Sequence, residues 1–134
     1  MTWQDILFEE CPDDHALRRA LADVFSVLPR DVGLVRSSAA SSGEARVRGV
    51  LTSVSGDFRC LLRVSMDGRV LNPDPIGGAR RIASVIGIRA FISVASDNPY
   101  SGLLIDSSGA VGPALLDPDV EEDAGEYRLY RPAP

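Results

Sequence analysis

Asp117, Asp119, Glu121, Glu122, Asp123 and Glu126 set six carboxylates within ten positions, with no basic residue among them. Carboxylates at that density can coordinate a hard cation, work as an acid–base pair, or offer an anionic surface to a basic partner. The first use fails on spacing. A calcium loop needs oxygen ligands at positions 1, 3 and 5, glycine at 6 and a carboxylate at 12. Counted from Asp117, position 6 is Glu122; counted from Asp119, position 6 is Ala124 and position 12 is Tyr130. No metal is expected. The second use depends on a separation in space that sequence does not carry. The third gains from Tyr127 and Tyr130, which follow the acidic stretch directly, and from Tyr100. Aromatic side chains supply the desolvated contacts that carry most binding energy. Asp117, Asp119, Glu121, Glu122, Asp123, Tyr127 and Tyr130 are therefore the expected partner-binding residues.

A second cluster has the opposite charge. Gly77 and Gly78 precede a helical pattern whose first turn bears Arg80 and Arg81. Free amides at a helix start, together with two guanidinium groups, can hold an anion. Gly78, Arg80 and Arg81, with Arg63 as a further contributor, form the alternative site. It requires the arginines to converge on a concave pocket.

Catalytic groups are scarce. His15 is the single histidine, and no serine, threonine or cysteine in its element serves as a nucleophile. No serine sits in a Gly-x-Ser-x-Gly elbow. Cys11 precedes Pro12 at a helix start, while Cys60 alternates with core residues, so both read as structural thiols without metal-like spacing. The chain is expected to be non-enzymatic and to need no cofactor.

All fourteen basic residues are arginine. The absence of lysine removes Schiff-base chemistry and any phosphate-loop lysine. Residues 36–89 carry nine arginines against four acids, whereas the flanks carry five against fifteen, within a total of −5. Net negative charge argues against direct nucleic-acid binding. The first residues lack a signal-peptide pattern, no uncharged run reaches membrane-spanning length, and a cytoplasmic protein is expected.

The elements that must position these groups follow from periodicity. Asp13 or Asp14 can cap a helix in which Ala16, Leu17, Ala20, Leu21, Val24 and Phe25 recur at three- and four-residue spacing. Leu28 ends that pattern and Pro29 stops it. "TWQDILFEE" is a brief strand or an amphipathic turn, and "DVGLVR" is a strand. Residues 37–43 are a loop, and residues 44–70 form a hairpin that turns at "VSGD". In its second arm Phe58, Cys60, Leu62, Val64 and Met66 share one face. "LNPDPIGG" is an irregular crossing. "ARRIASVIGIRAF" places Ile82, Val85, Ile86 and Arg89 on one helical side, weakened at Gly87. Three short strands follow. Residues 1–131 are expected to form a single α+β domain, a mostly antiparallel sheet with two helices on one face, ahead of a flexible tail at 132–134. "FRCLLRV" is the expected free edge for a homodimer.

In size, in its lack of catalytic residues and in the acidic loop flanked by aromatics, the chain resembles the small acidic immunity proteins of bacterial toxin systems. The resemblance is one of layout and transfers no residue's role. It implies a cytoplasmic inhibitor that binds a basic partner, a cognate toxin, and occludes its active site or substrate groove.

Overall fold

The computed structural model describes residues 2–36, 45–94, 98–118 and 125–130. The loop expected at 37–43 and the tail expected at 132–134 lie outside them. The most local signals produce α1, Asp14–Phe25. Asp13 Oδ2 accepts from Ala16 N at 3.0 Å, which satisfies one of the first-turn amides that has no partner within the helix. Leu17, Ala20, Leu21 and Phe25 bury the expected face. The helix ends short of Leu28 because Ser26 adopts the left-handed conformation, with φ 55°. Pro29 then opens a separate 3-10 turn, Pro29–Asp31.

The second helix, α2, spans Pro75–Ile86 and so begins inside the expected crossing. Pro75 occupies the first helical position, where the missing N–H would have had no partner and the fixed φ suits the helix. Asp74 caps it, accepting from Gly77 N at 2.9 Å. Gly87, with φ 71°, terminates the helix. Arg89 and Phe91 therefore fall beyond it.

The strands are β1 Thr2–Phe8, β2 Val32–Val35, β3 Val47–Ser53, β4 Ser55–Gly56, β5 Cys60–Met66, β6 Ala90–Ser93, β7 Ser101–Ile105, β8 Val111–Leu115 and β9 Glu126–Tyr127. Seven of them form one sheet in the order β2-β3-β5-β1-β6-β7-β8, and β4 pairs with β9 in a separate ladder. Within the large sheet only β2–β3 is parallel. The chain is a single α+β domain with two helices packed on a mostly antiparallel mixed sheet.

One open choice is decided and two expectations are corrected. "TWQDILFEE" supplies the central strand, pairing with β5 on one side and β6 on the other. "FRCLLRV" forms β5 and lies between β3 and β1, so it offers no free edge; among the described residues the edges are β2 and β8. A strand with Leu61 on one face and Leu62 on the other is apolar on both sides, as suits a sheet interior. Phe58 leaves the face of Cys60 and joins a second cluster across the sheet.

The main core lies between helices and sheet. Ile6, Phe8, Leu17, Leu21, Leu62, Val64, Ile82 and Ile92 are fully or almost fully buried in it. Trp3 closes one end, edge-on to Phe25 at 5.0 Å, with its indole Nε1 donating to Pro73 O at 2.9 Å.

Candidate partner-binding site

Alternation along β1 sends Ile6 and Phe8 toward the helices and Leu7 to the opposite face. Leu7 stands in register with Leu61 on β5 and Phe91 on β6. These three side chains form an apolar stripe on the face without helices. The carboxyl-terminal segment returns across this face. Leu116 and Leu129 form an antiparallel bridge. Asp117 N donates to Arg128 O at 2.7 Å, and Tyr130 N donates to Leu115 O at 2.8 Å. From the hairpin side, Ser55 N donates to Gly125 O and Asp57 N to Tyr127 O, both at 2.8 Å. Leu129 N donates to Asp57 Oδ2 at 2.8 Å. Leu7, Phe58, Phe91 and Leu116 become buried together.

Gly56 makes this docking possible. Its φ is 98°, and a Cβ there would stand 2.2 Å from Tyr127 O. No side chain fits between the two short strands.

A cleft of about 130 Å³ remains between the stripe and the returning segment. Leu7, Leu61 and Phe91 contribute its apolar lining, Tyr127 is part of its wall, and Asp5 and Arg63 form an ion pair at 3.6 Å on its rim. Metabolite pockets usually occupy roughly 300–1,000 Å³. This cleft suits one apolar side chain of a partner better than a cofactor.

The acidic stretch starts and ends beside it. Arg128 Nε meets Glu126 Oε1 at 2.7 Å. Arg128 is held above its ordinary pKa by that hydrogen bond first, then by the charge of Glu126, with Asp57 and Asp117 adding to it. A guanidinium is thus stabilised at the base of the stretch. Glu126 is engaged within the chain.

The expected partner-binding residues divide accordingly. Asp117 and Tyr127 are half-buried at the two stems of the stretch, and Tyr130 is exposed. Asp119, Glu121, Glu122 and Asp123 lie outside the described residues. Tyr100 is half-buried and packs against the second cluster. Asp5 was not expected, Arg63 was expected only at the alternative anion site, and the apolar Leu7, Leu61 and Phe91 were not expected either. Their signal was the run of consecutive apolar residues, Ile6-Leu7-Phe8 and Cys60-Leu61-Leu62, which means burial on both faces of a strand.

The alternative anion site is only partly assembled: Gly78 and Arg81 line one depression with Asp23 and Asp74, and Arg80 and Arg63 lie outside it. Gly78 serves packing, since a Cβ there would lie 2.6 Å from the Trp3 ring. Arg80 Nε donates to Gly109 O at 2.8 Å, while Arg81 Nε pairs with Asp23 at 2.7 Å. The two arginines point to different partners, and the helix start is already occupied by the Asp74 carboxylate. Arg63 pairs with Asp5 across the sheet. His15 lines a shallow depression with Arg19, Asp23 and Arg81, and no serine, threonine or cysteine lines it. Among the described residues no three histidine, cysteine or acidic side chains cluster as metal ligands. No helix among them is long and apolar enough to cross a membrane.

Comparison with known proteins returns no match: no family model, no curated protein and no solved structure is significantly similar to the chain.

Proposed function

We propose that this chain is a non-enzymatic protein-binding domain of the inhibitor or immunity type, whose acidic stretch engages a basic partner. The supporting observation is the fixed base of that stretch. Both its stems are hydrogen-bonded to the sheet and hairpin, and they stand beside an apolar cleft sized for one side chain. A partner segment carrying arginine or lysine next to an apolar residue fits both features at once. The carboxylates steer its approach, and the anchored side chain supplies the desolvated contact that slows release. As an inhibitor the domain covers the basic residues with which the partner, a cognate toxin, holds its own substrate.

The test is affinity capture followed by titration with the purified captured protein. It uses the wild type, a variant with Asp119, Glu121, Glu122 and Asp123 changed to Asn or Gln, and Leu61→Arg. The neutral variant should associate at least about tenfold more slowly at low salt and lose most salt dependence. Leu61→Arg should dissociate faster at unchanged salt dependence. Equal binding by all three proteins refutes the site.

A further inference from the structure

Cys11 and Cys60 are far apart in sequence, yet the fold brings them together. Phe8 lies opposite Cys60 in the β1–β5 ladder, and Arg59 N donates to Phe8 O at 2.9 Å. The chain leaving β1 then passes back over the start of β5. Cys11 Sγ donates to Arg59 O at 3.6 Å, which places it against the peptide group that joins Arg59 to Cys60. The Cys11 thiol lies near enough to Cys60 to raise its pKa. Both are free, Cys11 exposed and Cys60 buried.

We propose that Cys11 and Cys60 are a reversible oxidation site, in which a peroxide converts the dithiol to an intramolecular disulfide. Cys11, the sulfur that solvent reaches, attacks one peroxide oxygen. The O–O bond breaks, giving a Cys11 sulfenic acid and, from hydrogen peroxide, water. The Cys60 sulfur then attacks Cys11 Sγ, the S–O bond breaks, and the departing hydroxide leaves as a second water with the Cys60 proton. Two electrons pass from sulfur to peroxide, and two thiols with one hydrogen peroxide become one disulfide and two waters. Exposure decides the order of events. Cys60 is only 1% exposed, so neither peroxide nor an external thiol reaches it first, and the resolving step stays within the molecule. The disulfide that forms has an S–S bond of about 2.05 Å. The bond ties the residues ahead of α1 to the first residue of β5, just past the turn that holds the carboxyl-terminal segment.

The experiment treats the reduced protein with hydrogen peroxide and reads intact mass, free thiols and migration without reductant. The expected product is a monomer lighter by two hydrogens, with no titratable thiol and a cross-linked peptide containing both cysteines, restored by dithiothreitol. Its circular dichroism should match that of the reduced protein. Cys11→Ser should keep an unreactive Cys60. Cys60→Ala should trap oxidised Cys11 as a dimedone-reactive sulfenic acid or a disulfide-linked dimer. If Cys60→Ala does not fold, the wild-type mass and the Cys11→Ser protein still decide. Sulfinic acid at Cys11 of the wild type, an intermolecular dimer as its main product, or a disulfide formed only in denaturant overturns the proposal.

Discussion

On the helix side of the sheet, Phe8, Leu62 and Ile92 are sealed by two helices of twelve residues each. On the other side, Leu7, Leu61 and Phe91 are covered by a two-residue strand, one isolated bridge and the residues around them. The first seal rests on extensive apolar burial, which costs much free energy to undo. The second rests on a handful of backbone hydrogen bonds and one small cluster, so it can open locally while the sheet stays intact. The two stems of the acidic stretch, at Asp117 and Gly125, belong to the second seal, so a local opening there leaves the core undisturbed.

The largest test of this contrast is Leu62→Ala. That change removes a fully buried side chain from the helix side and should cost about 2–5 kcal/mol, with the loss appearing in the global denaturation midpoint. Gly56→Ala should cost less, about 1–3 kcal/mol, from the strained φ and the clash with Tyr127 O. Its signature is regional: amides of Asp57 and Leu129 should exchange faster while those of β1 and β5 stay protected. Equal acceleration across the sheet would mean that the two seals are one cooperative unit. Neutralising Asp119, Glu121, Glu122 and Asp123 together should shift stability by no more than about 0.5 kcal/mol, even as partner association slows. A large loss of stability would make the stretch a structural element instead.

The remaining test is a pH effect, confined to the alkaline range, and it belongs to the helix side. Burial first, and the hydrogen bond to Cys11 second, push the Cys60 thiol from its ordinary 9.0 up to about 12. The folded state therefore favours the protonated thiol. This contribution to stability is complete below about pH 9 and fades as pH rises toward about 12. Cys60→Ala should flatten that part of the stability profile, measured by denaturant melts across the alkaline range, while Gly56→Ala should leave it unchanged.

Local signals were legible in the sequence and distant pairings were not. Asp13 followed by regularly spaced leucines announced α1, and the alternation through Leu62, Val64 and Met66 announced β5. Pro75 misled because a proline at the first helical turn looks the same as one that breaks a helix until its neighbours are placed. Phe58 misled because β5 begins only at Cys60, so the alternation of that strand does not extend back to it. Tyr127, beside the acidic stretch, does line the cleft. The floor of the cleft was hidden, since Leu7, Leu61 and Phe91 come from three strands that meet only through long-range register. Arg80 and Arg81 looked like an anion clamp because they are adjacent in sequence, yet neighbours on a helix diverge by roughly 100°.

The central place of β1 has a consequence for synthesis. β1 is flanked in the finished sheet by β5 and β6, which are translated much later than it is. Its apolar run, Ile6-Leu7-Phe8, must wait unpaired through the making of α1, β2 and β3. Such non-local pairing folds slowly and leaves a sticky nascent segment. β1 is thus a segment in which a nascent-chain chaperone would find a long-lived target.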